Sequence, residues 1–268
     1  MPLAPLIDTH CHLDLEPLAA LVPAVLERAR AAGVSGCLSL GTSLESSRAT
    51  VELARRHPML RAGVGVHPEL AETATDATLA ELERLADESC VGAIGEVGLD
   101  DYREHAPMAR QVEVLAAFAQ IARRCRLPLA IHCRGTEAYG ALLGLLRREG
   151  MAPWRGVLHC ASGTPEFIRA VLELGLHVSF AGNVTFPSAR ALHQLVPLVP
   201  DDRLLVETDA PFLAPQPVRG QTNEPGHVAH TAAWLAAARG DTIERLAQIT
   251  TDNARRLFGF PANGVAHA

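Results

Sequence analysis

Ile7-Asp8-Thr9-His10-Cys11-His12-Leu13-Asp14 is the stretch on which the fold turns. Read as a strand from Leu6, it sets His10 and His12 two residues apart on one face, because successive side chains of a strand alternate. Two adjacent imidazoles suit a divalent metal, although for a lone H-x-H a pair of surface histidines is the better reading. Repetition of the context tips the balance. His67, Glu96, His132, His159 and Asp209 also close short apolar runs, so seven metal-competent side chains share one local setting.

Outward from that stretch, β-type runs alternate with helical ones almost to the end of the chain. Near-continuously apolar runs of about four to eight residues predict eight strands: Leu6–His10, Val34–Gly41, Leu60–Val66, Val91–Glu96, Pro128–His132, Gly156–His159, His177–Ala181 and Leu204–Thr208. Helices are expected between them, the first over Glu16–Ala32, and two more, Val228–Ala238 and Thr242–Phe258, follow the last strand. Ser43 and Thr164 read as N-caps, and Gly33, Gly150 and Gly175 as helix stops. The pattern predicts an α/β fold, a (β/α)8 TIM-type barrel over residues 1–268 as one domain, with an open doubly wound sheet as the alternative. Chemistry favours the barrel. The metal-competent groups sit at or just past the predicted ends of strands one, four, five, six and eight, and closure gathers those ends at one mouth.

Hydrophobic residues make up 48% of the chain but aromatic ones only 4%, so the core must be built from Ala, Leu and Val. With 24 basic and 30 acidic side chains the formal charge is -6, which excludes nucleic-acid binding by bulk electrostatics. A nucleic-acid partner would need local contacts and metal ions. The six cysteines form no C-x-x-C pair and most lie in apolar runs, as reduced core residues do. No signal-peptide pattern or membrane-length apolar run is present, so a cytoplasmic protein is expected.

Four histidines and two carboxylates exceed the three protein ligands of a typical catalytic zinc. A two-metal site accounts for the surplus: His10, His12 and Asp209 on one ion, His132 and His159 on the other, Glu96 bridging. Two divalent ions roughly 3.5–4 Å apart can clamp the attacking and leaving oxygens of a phosphoryl transfer. Asp209 is placed to double as general base.

Eight blocks strengthen this reading: Asp8 to Asp14, Gly65-Val66-His67-Pro68, Gly95-Glu96-Val97-Gly98-Leu99-Asp100, Ile131-His132-Cys133-Arg134, Leu158 to Gly163, Glu207-Thr208-Asp209-Ala210-Pro211, Arg219 to Pro225, and Asn253 to Gly259. Together and in this order they resemble the TatD family of metal-dependent deoxyribonucleases. The resemblance implies an amidohydrolase-like barrel with His10, His12, Glu96, His132, His159 and Asp209 as ligands of two divalent ions (Mg2+, Mn2+ or Zn2+). It implies catalytic roles for Asp209 and Glu96 and cleavage of DNA, single-stranded or at an end, in the 3′–5′ direction. It further implies that His67 and the Asn223-Glu224-Pro225 block border the substrate. Three positions depart from the family pattern near the expected cleft: Glu69 in place of a second histidine, Gly135 in place of Asp, and Ala161 in place of an aromatic residue.

Beside each reading stands a plainer one. His67 orients a phosphate or only bonds within its loop; Arg134 meets a phosphate or pairs with a nearby carboxylate. Arg219 is expected in the pocket, Glu224 as cap of the helix near Val228, and Asp100 as a partner of a ligand. Tyr102 and Arg103 contact a base or phosphate or lie in a solvated loop, and His105 and His267 are expected in ordinary positions. Rival functions are a hydrolase of the same chemistry acting on an ester, an amide or a misacylated transfer RNA, and a non-catalytic metal-binding barrel.

Overall fold

A computed structural model describes residues 5–102, 106–150 and 152–261; Arg103, His105 and His267 lie outside them. Eight parallel strands form one sheet in sequence order: β1 Leu6–Cys11, β2 Val34–Leu40, β3 Leu60–Val64, β4 Val91–Asp100, β5 Leu129–Arg134, β6 Gly156–Leu158, β7 His177–Phe180 and β8 Leu204–Val206. The sheet curls until its edges meet. Beyond β8, the Asp209 N–H donates to His10 O (2.8 Å), the His12 N–H donates to Ala210 O (2.7 Å), and Cys11 bridges Ala210 in parallel. This is the expected (β/α)8 barrel.

Helices α1 Val22–Ala31, α2 Leu44–Arg56, α3 Asp76–Ala86, α4 Met108–Cys125, α5 Thr136–Arg148, α6 Pro165–Glu173 and α7 Arg190–Leu195 connect successive strands, and α8 Val228–Arg239 and α9 Ile243–Phe258 close the chain. The Ser43 and Thr164 hydroxyls accept from the N–H groups of Ser46 and Phe167, each at 3.2 Å, so both predicted caps form. The first helix begins six residues later than the sequence suggests. Pro23 lacks an N–H and is tolerated only in a first turn, so α1 starts at Val22.

One core cluster lies between helices and sheet. A second draws Ile7, Leu38, Leu40, Ala93, Ala130, Val157 and Leu205 from six strands, with Phe258 and Phe260 from the end of α9 and beyond; it fills the barrel interior. Ala, Leu and Val dominate both, as the low aromatic content requires. Among the described residues no helix is long and apolar enough to cross a membrane.

Candidate metal centre

His10 lies inside β1 and His12 one residue past it; His132 is in β5, His159 follows β6 directly, and Asp209 is three residues beyond β8. Glu96 departs from expectation: β4 runs on to Asp100, so Glu96 is within the strand rather than at its end. A register break between Ile94 and Val97 detaches it from the ladder, its N–H donates to Gly41 O beyond β2 (2.9 Å), and the Gly95–Glu96 peptide is cis. Past the break Gly98 pairs with His132 at φ +153°, where a Cβ would stand 1.8 Å from His132 O, so only glycine admits this approach of β4 to β5.

The carboxylate of Glu96 divides the centre. Its Oε2 faces His10 Nε2 and His12 Nε2, both at 3.4 Å. Its Oε1 faces His159 Nε2 (3.0 Å), His132 Nδ1 (3.1 Å) and, farther off, His67 Nε2 (3.6 Å). Asp209 Oδ1 joins the first set, 3.7 Å from His10 Nε2 and 3.6 Å from His12 Nε2. The structure therefore brings all six predicted ligands together, with His67 at the edge.

Partners behind the imidazoles fix where their lone pairs point. His12 Nδ1 donates to Leu40 O (2.9 Å), which turns Nε2 toward the centre, 3.2 Å from His10 Nε2. His132 Nε2 donates to Asp100 Oδ2 (2.8 Å), which leaves Nδ1 3.2 Å from His159 Nε2. His159 Nδ1 lies 3.4 Å from Glu207 Oε1, an acceptor the sequence reading did not single out. Imidazoles oriented by carbonyl or carboxylate acceptors and gathered around shared carboxylates are a set of side chains that could hold a metal ion. The groups His10–His12–Glu96, His10–His159–Glu207 and His67–Glu96–His132 each have ligand atoms close enough together to hold one.

The same crowding acts on protons. Burial pushes the Glu96 carboxyl up, but the charges of His159, His10 and His67 outweigh it and hold it well below the usual range. Burial lowers the histidines; the Asp209 hydrogen bond and Glu96 overcome it at His12, raised to about 9. At His132 Asp100 and Glu96 overcome burial, and at His159 Glu96 and Glu207 do, so both are raised. His10 is lowered by burial and by His159, and His67, mainly by burial, falls to about 4.

The centre opens into a cavity of about 640 Å3, lined by His67, Arg134, Phe212, Glu69 and Ala161 among others. A family model described as TatD related DNase matches residues 7–259. The chain belongs to the TatD family. It is 40% identical over 261 residues to the uncharacterized metal-dependent hydrolase YcfH of Escherichia coli K12, covering 96% of this chain and 97% of that one. It is 38% identical over 246 residues to the 3′-5′ ssDNA/RNA exonuclease TatD of Erwinia amylovora, covering 88% and 92%. The crystal structure of YjjV, a TatD homolog from Escherichia coli K12, superposes with a TM-score of 0.89 at 31% identity, covering 96% and 98%. The chain is thus a TatD-family metal-dependent hydrolase.

Other expectations about this TatD-family cleft require correction. Asn223 does not border it: the side chain is wholly buried, and its Nδ2 donates to Thr208 O (2.9 Å) and Phe212 O (2.6 Å) while Oδ1 accepts from the Glu224 N–H (3.0 Å) and faces His227 Nδ1 (3.1 Å). These bonds tie down the loop carrying Asp209, whose φ of +59° is uncommon for a residue other than glycine. Glu224 caps nothing; its carboxylate pairs with Arg28 on α1 at 2.6 Å. Arg219 is outside the cavity lining, exposed, with its guanidinium 4.6 Å over the Phe186 ring. Arg134 lines the cavity and stacks on the Tyr102 ring at 3.7 Å instead of pairing with a carboxylate among the described residues.

Gly135, a departure from the family pattern, has a structural counterpart. A Cβ there would lie 1.1 Å from Asp101 Oδ1, and Asp101 Oδ2 accepts the Glu137 N–H (2.8 Å), so an aspartate from the β4 loop caps α5 across that space. Asp8, unremarked in the sequence, is also wholly buried: it accepts from the Thr208 N–H (2.9 Å), the Thr208 hydroxyl (2.6 Å) and the His10 N–H (3.3 Å).

Proposed function

We propose that this chain is a deoxyribonuclease that removes nucleotides from the 3′ end of single-stranded DNA, its 268 residues acting as one unit in the cytoplasm. The observation that carries the reading is the division at Glu96, one carboxylate oxygen toward each set of imidazoles. His10, His12 and Asp209 would hold one divalent cation (Mg2+, Mn2+ or Zn2+), His132 and His159 a second, and Glu96 both. When bound, two such cations supply the positive charge that stabilises the phosphoryl oxygens and acidifies the attacking water. The name of the Erwinia relative supports DNA as the substrate. Free thiols at all six cysteines suit a reducing compartment.

Asp209 takes the proton of that water. Burial pushes its carboxyl up, but His12, His10 and His159 hold it below the usual carboxylate value, so it is ionised and able to accept at neutral pH. Glu96 keeps the two sets of ligands in register, and Arg134 and His67, on the cavity wall, meet the phosphates.

Calorimetric titration with Mn2+ should show two ions per chain, and the loaded protein should release mononucleotides from a single-stranded oligodeoxynucleotide. Asp209→Asn should abolish that release with the fold retained by circular dichroism. Absence of nucleotide release with Mg2+, Mn2+ and Zn2+, alongside turnover of an ester or amide in a parallel panel, would overturn the proposal.

A further inference from the structure

Four large apolar side chains are exposed among the described residues, and three of them gather at the mouth of the cleft. Phe212 (53% exposed) and Leu70 (39%) line the cavity, and Tyr102 (68%) lies under the guanidinium of the cavity-lining Arg134. Exposed aromatic rings cost free energy in water, so their concentration at one opening marks a place where something covers them.

The two aromatic groups stand on opposite sides of Glu96. Phe212 follows Asp209 by three residues, donates its N–H to Asp209 O (2.8 Å), and sets its ring edge-on to His12 with centroids 6.3 Å apart. Its carbonyl is held by buried Asn223, which fixes the backbone beneath an exposed ring. Tyr102 donates its N–H to Asp100 Oδ1 (2.7 Å), the carboxylate whose other oxygen orients His132, and Arg134 is two residues beyond His132. Phe212 thus borders the His10–His12–Asp209 set and the Tyr102–Arg134 pair borders the His132–His159 set.

We propose that Phe212 and the stacked Tyr102–Arg134 pair are base-stacking platforms, one on each side of the scissile phosphate, that receive the two nucleotides flanking the cleaved bond. The inference rests on the nuclease reading above and deepens it. With a net charge of -6 the protein has no general basic surface to hold a strand, so local contacts supply the grip, and aromatic faces are a strong form of these. Stacking requires unpaired, splayed bases, which selects single strands over duplex, and it tolerates any base because each has a π-face. Arg134 adds a cationic plane that can stack on a base and meet a phosphate with its edge.

The test compares nucleotide release by the metal-loaded wild type, Phe212→Ala, Phe212→Trp and Tyr102→Ala. Substrates are a single-stranded oligodeoxynucleotide and versions carrying an abasic residue at the terminal or the penultimate position. Phe212→Ala should raise KM by roughly 5- to 100-fold with kcat changed far less, and Phe212→Trp should restore it. One abasic position should reproduce the Phe212→Ala effect and add nothing to it; the other should behave so with Tyr102→Ala. If the wild type releases nucleotides but neither variant nor abasic position moves KM, the nuclease reading stands and the platforms fall. If the wild type releases none, both fall. If Phe212→Ala leaves KM unchanged and instead converts a dimer to a monomer in sedimentation, the ring belongs to a contact between copies and the inference is overturned.

Discussion

His12 is oriented by a backbone carbonyl, Leu40 O at 2.9 Å, whereas His132 is oriented by a carboxylate, Asp100 Oδ2 at 2.8 Å. The contrast extends to whole halves of the centre. On the His10–His12–Asp209 side the holding bonds are also the bonds that close the barrel: Asp209 N–H to His10 O, His12 N–H to Ala210 O, and Asp8 accepting from Thr208. On the His132–His159 side carboxylates do this work: Asp100 accepts from His132, and Glu207 faces His159 Nδ1 at 3.4 Å, behind rings carried by β5 and the end of β6. The first half is therefore coupled to folding, and the second can be altered with the barrel intact.

Glu96→Gln should have the largest effect on cation binding, because Glu96 faces both sets of imidazoles. Nucleotide release should fall by roughly three orders of magnitude, on the scale of losing a preorganised charge-stabilising group, and both Mn2+ binding events should weaken. Loss of one event only would break the symmetry assigned to its two oxygens. Asn223→Ala comes next and acts on the seam half. It strands the buried Thr208 carbonyl and removes a donor from the part-buried Phe212 carbonyl, so denaturant unfolding should show a loss of about 1–3 kcal/mol, with the weaker cation site that of Asp209.

Asp100→Asn should do the reverse, lowering affinity for one Mn2+ by roughly 10- to 100-fold, about 1.4–2.8 kcal/mol, while the unfolding midpoint hardly moves. A large loss of stability would show that the two halves are equally coupled to the fold. Protons separate them further. His132 and His159 are both raised by facing carboxylates, and on the seam side only His12 is, at about 9, since burial lowers His10. A raised imidazole stays protonated until pH exceeds its pKa, so a cation must displace that proton and its affinity climbs as pH rises toward the pKa. The climb is roughly tenfold per pH unit per proton. Titrations in buffers of different ionisation enthalpy should find protons released on cation binding at the His132–His159 site, fewer of them as pH rises.

The strands, and the six side chains that converge at the barrel mouth, were legible because such signals are local. An apolar run of four to eight residues ending in His or Asp shows itself whatever lies elsewhere, and Pro23 could have corrected the start of α1 on the same local grounds. The roles of Asn223 and Asp8 were not legible for the opposite reason. The partners of Asn223 are backbone carbonyls of Thr208 and Phe212, which offer no residue type to read, and Asp8 meets Thr208 across 200 positions only once β1 and β8 close. The continuation of β4 past Glu96 was hidden by Glu96 itself, a charged residue that ends the apolar run on which the strand reading rests.

Glu224 supplies the smallest and sharpest test, because it adjoins Asn223 and points the other way. Its carboxylate reaches Arg28, whose side chain is half exposed, so the pair is largely water-screened although bidentate. Glu224→Gln should cost no more than about 1 kcal/mol, less at high salt, and should leave cation affinity and nucleotide release unchanged. A substrate-contacting Glu224 would instead change KM. Adjacent substitutions with such unequal effects would locate the coupling between folding and the metal centre in Asn223 and the seam it fastens, not in the Asn223-Glu224-Pro225 block as a whole.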